Sequence, residues 1–221
     1  MHSLPEWKPA SRPSAVSLRG RAVQLEPLNA ARHAAALWQA LQGHDELWRW
    51  MADGPFASAE PFHEALRRKQ EATETVFFAL LPAQTGLAAG YASLMRCDPA
   101  NGVVEVGNIL FSPPLQRTVA ATEAMYLLMR YVFEDLGYRR LEWKCDAENA
   151  PSRRAALRLG FSFEGVFRQH MVIKARNRDT AWFSMLDGEW PRQKAAFEVW
   201  LDPGNFDAEG RQRKRLAELL L

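Results

Sequence analysis

The stretch "LQRTVAATEAMYLLMRYVFEDLGYRRLEW", residues 115–143, decides how this chain folds. It follows a strand-like run and two prolines, forms a long amphipathic helix that ends near Gly137, and then enters another strand. The helix begins with Gln116, Arg117 and Thr118, followed by small residues. The free N–H groups of a helix's first turn bind phosphate well, so this start predicts an anion site. An ordinary solvated helix start is the alternative, and the stretch alone does not separate the two.

The composition is that of a globular protein rather than a nucleic-acid or membrane protein. The chain has 221 residues, 48% of them hydrophobic, and Lys plus Arg (28) nearly balances Asp plus Glu (26). No apolar run approaches the ~18 residues that span a bilayer. The N-terminal segment "MHSLPEWKPASRPSAVSLRG" has no apolar signal region, and Cys97 and Cys145 show no metal spacing. A cytoplasmic protein with reduced core thiols is expected.

Periodicity and turn residues predict the order β-α-α-β-β-β-α-β-α-β-β, followed by a C-terminal helix. The strands are expected at "RAVQLEPL" (21–28), "ETVFFALLP" (74–82), both halves of 86–113, 139–147, 161–173 and 179–187. Asn29, Ser58 and Asn149 are candidate N-caps of three of the helices. An antiparallel meander followed by crossovers indicates an α+β fold with a mixed, mostly antiparallel sheet. We expect a loose tail at 1–17, one domain over 18–190 and a C-terminal helical extension over 191–221.

Two segments carry a resemblance to a known family. The succession of strand, Pro-containing loop, "QRTVAATEA", helix, strand and "NAPSRRAALRLGFSFEG" resembles the GNAT superfamily of acyl-CoA N-acetyltransferases. Within it, the chain is most similar to the ribosomal-protein N-terminal acetyltransferases of RimJ/RimL type. The resemblance covers about residues 18–190, and its most specific part runs from Asn149 to Gly165. "RNRDTAWFSMLDGEW" (176–190) adds to it. It implies the GNAT fold, with acetyl-CoA as co-substrate and no metal.

The resemblance also implies where coenzyme A binds. The family's phosphate pattern is Gln or Arg, two residues, Gly, one residue, and Gly or Ala. Gln116 and Ala121 match it, but Val119 stands at the first glycine, which normally lets the backbone approach the pyrophosphate closely. The Val119 N–H is still present, and Arg117 can add a charge-assisted contact. The cofactor contacts implied are Ile109, Leu110, Phe111, Gln116, Arg117, Thr118, Val119, Ala120, Ala121, Thr122, Asn149 and Ser152.

Glu105 is the candidate general base. It lies on the strand that leads to the phosphate loop, at a spacing similar to that of a catalytic glutamate in some family members. Enclosure by Val103, Val104 and Val106 would raise its pKa towards neutrality, as a base requires. A solvent-facing glutamate on an alternating strand is the alternative. Ser152 is the candidate for protonating or orienting the departing sulfur, because Ala156 stands where many relatives carry a tyrosine acid.

Four residues are candidates for the acceptor side of the cleft: Trp48, Trp50, Arg168 and His170. "LWRWM" falls in an irregular loop, where Trp48 and Trp50 form either the apolar wall of an acceptor pocket or part of the core. Arg168 and His170 face either the acceptor cleft or solvent on a surface strand. The acceptor is an amine, with peptide N-termini and small molecules both open. A homodimer is one possible assembly, and no membrane or direct nucleic-acid partner is expected.

The leading interpretation is therefore an enzyme that transfers an acetyl group from acetyl-CoA to a primary amine. Val119 and the absent tyrosine motivate a second one, a catalytically silent acyl-CoA-binding module. The basic C-terminal segment "EGRQRKRLAELLL" motivates a third, a nucleic-acid-associated protein, although a solvated helix face explains that segment as well.

Overall fold

The computed structural model describes residues 3–220, which form one eight-stranded sheet flanked by helices. The strands are β1 (Leu18–Arg19), β2 (Val23–Pro27), β3 (Val76–Pro82), β4 (Gly90–Asp98), β5 (Val103–Phe111), β6 (Arg140–Asp146), β7 (Ser162–Ile173) and β8 (Arg176–Leu186). The helices are α1 (Ala30–Leu41), α2 (Ala59–Gln70), α3 (Val119–Arg130), α4 (Ala150–Arg158), α5 (Trp190–Leu201) and α6 (Leu216–Leu219). A 3-10 turn lies at Asp45–Trp48, a second one at Pro203–Asn205, and a π-helical turn at Tyr131–Asp135 extends α3.

The sheet has the order β1-β2-β3-β4-β5-β6-β8-β7, so β7 is an edge strand. Neighbouring strands are antiparallel except β5 and β6, which α3 connects as a crossover and which run parallel. The parallel pair is short, because β5 and β6 are in register only over residues 103–105 and 140–142. The α+β class with a mixed, mostly antiparallel sheet is therefore confirmed.

Each face of the sheet has its own hydrophobic core. On one face α1 and α2 cover β3 and β4, with Leu37, Phe62 and Tyr91 buried between them. On the other face α3, α4 and α5 pack on the central strands, with Leu128, Phe183 and Phe197 buried there. Because side chains alternate along a strand, each central strand supplies both cores in turn. Among the described residues, the core beneath α1 and α2 extends only as far as Leu110 of β5 and includes no residue of β6 or β8.

The helix starts follow the predicted caps with one exception. Asn29 and Asn149 accept hydrogen bonds from the amides of Arg32 and Ser152, as N-caps do. Ser58 occupies the N-cap position of α2 but its side chain makes no capping hydrogen bond, so that prediction is wrong in its chemistry. The sequence also missed β1 and the 3-10 turn in the "HDELWRW" segment, both too short to carry a period.

The two terminal segments are attached to the domain rather than separate from it. Residues 3–17 contain no helix and contact the rest of the domain. Trp7 donates to the Ala100 carbonyl at 2.9 Å, and Ser11 N–H donates to the Leu136 carbonyl at the same distance. The boundaries expected for a tail at 1–17, a domain at 18–190 and an extension at 191–221 stay predictions. In the C-terminal extension, Phe197, Trp200 and Leu216 enter the core beneath α3. No helix among the described residues is long and apolar enough to cross a membrane.

Candidate active site

A bulge in β5 opens a gap in the middle of the sheet. Tyr91 pairs with Leu110 but Ser93 pairs with Gly107, so β5 carries one extra residue at this point. Asn108 has a φ of 50° there, and its amide Nδ2 donates to Ser93 Oγ at 3.0 Å. Beyond Glu105, β5 no longer pairs with β6. The edges of 106–111 and 143–146 therefore face a gap between two strands of the same sheet.

The three predicted contacts Ile109, Leu110 and Phe111 lie along this gap on β5. Ile109 and Phe111 are half-buried, whereas the Leu110 side chain is buried in the core beneath α1 and α2. Leu110 can therefore meet a ligand in the gap through its backbone alone.

The loop after β5 presents free backbone N–H groups at the start of α3. The Thr118 hydroxyl donates to the Leu115 carbonyl at 2.7 Å and accepts from Ala121 N–H at 3.1 Å, so Thr118 is the N-cap of α3. Within residues 3–220 no acceptor lies on the N–H groups of Val119 and Ala120. The Gln116 side chain is used locally, since it donates to the Phe111 carbonyl at 3.0 Å. Two amides of the first turn are thus available to an anion.

Cations lie on both sides of this helix start. The predicted Arg117 is exposed, with a positive φ of 61°. Arg158, which the sequence analysis missed, reaches from α4 and donates to Thr122 Oγ1 at 3.2 Å. Burial lowers the pKa of Arg158. No carboxylate pairs with Arg158 among the described residues. Arg158 lies at the end of the "RRAALRLG" helix, where nothing in the sequence pattern indicates a phosphate contact.

Glu123 fixes α3 to the beginning of the sheet. Its buried carboxylate accepts hydrogen bonds from the backbone N–H groups of Arg21, Ala22 and Val23 at 3.0, 2.5 and 3.0 Å. Gly20 is required beside it, because a Cβ at this position would lie 2.5 Å from the carboxylate. The "TEA" triplet at residues 122–124 therefore contains the residue that holds the first turn of α3 in place.

Glu105 lies on the floor of the gap, buried to 3% exposure, in an ionic cluster rather than an apolar enclosure. Its Oε2 accepts from Arg96 Nη1 at 2.7 Å and lies 3.1 Å from Lys144 Nζ. The expected enclosure of Glu105 is wrong for two of the three valines, Val104 and Val106. Val104 and Val106 alternate with Glu105 along the strand and point into the core on the opposite face.

The other carboxylate oxygen of Glu105 is free. Oε1 has no hydrogen-bond partner among the described residues, and a Cβ at Gly107 would lie only 3.1 Å from it. Gly107 thus leaves room beside Oε1 at the start of the bulge. Oε2 is held by two cations, and Oε1 lies beside Gly107, next to the bulge of β5.

The cluster continues across β6 to the edge of the sheet. Lys144 Nζ also contacts Glu142 Oε2 at 2.7 Å and lies 3.8 Å from the centre of the Trp182 ring. Arg140 pairs with Glu142 and Glu164, and this pairing lowers the pKa of Glu164. The sequence analysis missed Arg96 and Lys144. Only the register of three strands brings them to Glu105.

At the start of α4, Asn149 and Ser152 are hydrogen-bonded to each other beside Trp143 of β6. Asn149 Oδ1 accepts from Ser152 N–H at 3.1 Å, and Ser152 Oγ accepts from the indole Nε1 of Trp143 at 2.9 Å. The Ser152 hydroxyl keeps its own hydrogen to donate. Position 156, where many relatives carry a tyrosine acid, holds a fully buried alanine that offers no hydroxyl. Cys145 is buried nearby, burial raises its pKa, and both cysteines are free thiols.

The predicted acceptor residues are divided between the core and the surface. Trp48 is 3% exposed and packs on Phe56 and Phe62 at centroid distances of 5.0 and 6.1 Å, which fits the core alternative. Trp50 is half-buried, with the Arg49 guanidinium 4.8 Å from its ring centre. Arg168 and His170 are exposed on β7.

No metal centre is evident in the part of the chain that the structure describes. Among residues 3–220, no three His, Cys, Asp or Glu side chains are grouped so that they could hold a metal ion.

The comparisons with known proteins agree with this geometry. The family model described as "Acetyltransferase (GNAT) domain" matches residues 23–162. The structure is similar to that of a GCN5-related N-acetyltransferase from Brucella melitensis, with a TM-score of 0.96 and 49% identity over 98% of this chain and 99% of that one. A probable acetyltransferase (GNAT family) from Chromobacterium violaceum has a TM-score of 0.81 and 43% identity, covering 86% and 96% of the two chains.

Among curated proteins, the chain is 28% identical to YdaF of Bacillus subtilis (strain 168) over 176 residues, or 77% of this chain and 92% of YdaF. The provisional name of YdaF is ribosomal N-acetyltransferase. The family match and the similar structures define an acyltransferase. The chain belongs to the GNAT superfamily of acetyltransferases, and its relatives agree with the RimJ/RimL-like branch that the sequence predicts. Members of this family use acetyl-CoA as co-substrate.

Proposed function

We propose that the enzyme transfers the acetyl group of acetyl-CoA to a primary amine by direct attack in a ternary complex. The observation that carries the proposal is the gap between β5 and β6, which has the free amides of α3 at one end and the free Glu105 oxygen on its floor. The neutral amine nitrogen forms a bond to the thioester carbonyl carbon. The C–S bond then breaks, and coenzyme A leaves as a thiol.

Coenzyme A is held at the helix start in this proposal. The N–H groups of Val119 and Ala120 donate to the pyrophosphate, and Arg117 and Arg158 add positive charge on either side. The pantetheine arm lies along residues 109–111 in place of a β6 strand. Asn149 lies beside the arm on the α4 side. Holding both substrates in line supplies up to ~7–11 kcal/mol of the barrier reduction.

Glu105 takes the proton that the acceptor ammonium must lose, directly or through one water. Its anchored Oε2 fixes the carboxylate, and its free Oε1 is the oxygen that receives the proton. On the leaving side, the Ser152 hydroxyl, which Trp143 fixes, donates its proton to the departing sulfur. Ser152 regains a proton from the nitrogen of the tetrahedral intermediate, which thereby becomes the neutral amide as the C–S bond breaks. A silent acyl-CoA-binding module is the alternative that Val119 and Ala156 still motivate.

The acceptor is a primary amine, and the name of YdaF, a ribosomal N-acetyltransferase, supports an amine of a ribosomal protein as one candidate. The two free cysteines fit a reducing compartment such as the cytoplasm.

Two measurements test the proposal. Acetyl-CoA at 100 times its Kd should stabilise the protein by ~2.7 kcal/mol in a thermal shift. Thiol release should then be followed with a panel of amines, including peptides with free N-termini. Stabilisation together with amine-dependent thiol release is expected. Stabilisation without thiol release from any amine would favour the silent module. The absence of both stabilisation and thiol release would contradict the assignment of the cofactor site.

A further inference from the structure

Three aromatic side chains form a cluster on the β7–β8 hairpin. The ring of Phe167 lies 4.5 Å from that of Trp182, and the His170 ring lies 5.6 and 5.9 Å from these two. The sequence analysis named His170 alone. Phe167 and Trp182 come together because Phe167 pairs with Thr180 in the strand register, beside Trp182.

This aromatic cluster lies on the same face of the sheet as Glu105. Trp182 is opposite Lys144 in the register of β6 and β8, and Lys144 Nζ lies over the Trp182 ring while contacting Glu105. The contacts therefore run without interruption from Glu105 through Lys144 and Trp182 to Phe167. The apolar surface begins where the ionic floor of the gap ends.

The outer part of the aromatic cluster is open to a ligand. Phe167 is 54% exposed, which is costly for so large an apolar side chain. His170 Nδ1 is 2.9 Å from the buried Thr180 Oγ1, and this contact orients the ring. The other ring nitrogen, Nε2, has no partner among the described residues.

The charge of the hairpin restricts which amines can approach. Between residues 167 and 179 it carries the cations Arg168, Lys174, Arg176 and Arg178 against one acid, Asp179, a balance of 4 − 1 = +3. Lys174 Nζ donates to the Trp48 carbonyl at 2.9 Å, so the tip of this basic hairpin contacts the segment between α1 and α2. A polycationic amine would be repelled here, whereas an amine with one charge and an apolar neighbour would not.

We propose that Phe167 and His170 form the acceptor-binding surface and select primary amines with one positive charge and an apolar group next to the amine. The apolar group packs on Phe167, and His170 Nε2 makes a hydrogen bond to an oxygen or N–H group of the acceptor. The inference rests on the proposed function and deepens it. It makes an amino-acid amide or peptide N-terminus with an apolar first side chain a substrate, and it excludes polyamines.

The chain offers a matched control on the same strand. Phe163 is also exposed, to 46%, but it packs on Phe183 and lies beneath Arg153 of α4, on the opposite face. Phe167→Ala and Phe163→Ala therefore each remove one exposed phenyl ring, from opposite faces of β7. Their kcat/KM values should be measured with phenylalaninamide, glycinamide and spermidine at saturating acetyl-CoA.

For the wild-type enzyme we expect phenylalaninamide to be the best of these acceptors and spermidine the poorest. Phe167→Ala should lower kcat/KM for phenylalaninamide ~10-fold or more, with glycinamide little affected and the acetyl-CoA KM unchanged. Phe163→Ala should keep the wild-type preference. Equal losses for both amides, the same effect from both variants, or efficient use of spermidine would overturn the inference while leaving the proposed acetyl transfer intact. Failure of every amine to release thiol would instead refute the proposed function.

Discussion

Glu105 and Lys144 face each other across the short parallel pair of β5 and β6, with Nζ 3.1 Å from Oε2. Lys144 is shared with Glu142, and Arg96 contacts the same Glu105 oxygen. The carboxylate is thereby fixed at the point where the two strands separate. A fixed carboxylate with one free oxygen can accept a proton without first reorganising.

Glu105→Gln should reduce kcat by ~10²–10⁴ and abolish the acid limb of the pH–rate profile, because the amide cannot accept a proton. Glu142→Gln is the matched control. It removes a carboxylate from the same Lys144 but not the oxygen beside Gly107. Both variants should be compared by steady-state kinetics after their melting temperatures are measured. A folded Glu105→Gln enzyme with wild-type rates would show that water or another group removes the proton.

Arg117→Ala should raise the acetyl-CoA KM and leave kcat and the melting temperature nearly unchanged. The Arg117 side chain is exposed at the helix start and makes no contact that the fold needs. Arg68→Ala, which removes an exposed cation from α2, controls for the loss of one positive charge. An unchanged acetyl-CoA KM in Arg117→Ala would count against this residue as a phosphate contact.

The two tryptophans of the "LWRWM" segment should differ in their effects. Trp48→Ala should lower the free energy of unfolding by ~3–5 kcal/mol, because it empties a site that is buried against Phe56 and Phe62. Trp50 is half-buried, so Trp50→Ala should cost less stability. If Trp50 borders the acceptor, its removal weakens the amine KM with the acetyl-CoA KM preserved. Denaturant titration gives the free energy of unfolding of both variants, and steady-state kinetics give their amine and acetyl-CoA KM values. An unaltered amine KM in Trp50→Ala would show that Trp50 does not contact the acceptor.

His33 should make stability depend on pH. Burial lowers the pKa of His33, although the Glu26 carboxylate 3.3 Å from Nε2 opposes that effect. As the pH falls through 6.5, the usual value, the unfolded chain takes up a proton that the folded protein resists. The contribution of His33 to the free energy of unfolding is therefore complete above pH 6.5. It is lost as the pH falls towards the lower pKa that His33 has in the folded protein.

His33→Gln should flatten this acid-side decline in the free energy of unfolding, measured by denaturant titration at several pH values. His44→Gln, at a histidine whose side chain is 42% exposed, should keep the wild-type pH dependence. Identical slopes in His33→Gln and the wild type would assign the decline to other groups.

Local signals were sufficient for most elements of the fold. Asn29 and Asn149 cap helices through contacts within four residues, and the turn at 98–102 closes β4 onto β5 through its own Asp, Pro, Asn and Gly. Ser58 occupies a cap position without making the cap hydrogen bond. The local sequence pattern predicts the cap position but not the side-chain rotamer that makes the bond. A two-residue strand such as β1 has no period to detect.

The sequence by itself determined the class of fold, the position of the helix start that follows β5, and the presence of Glu105 on the strand that leads to it. These features depend on periodicity, turn chemistry and short motifs, all of which act between residues close in the chain. Only the tertiary structure decided what surrounds Glu105. Arg96, Lys144 and Trp182 lie on three different strands, and a shift of one residue in register would turn each of them to the other face. The irregular pairing of β4 at Arg96, where φ is 47°, brings that side chain to Glu105, and the pairing of β6 with β5 and β8 aligns Lys144 and Trp182. The ionic floor and the aromatic cluster beside it are therefore properties of the assembled sheet.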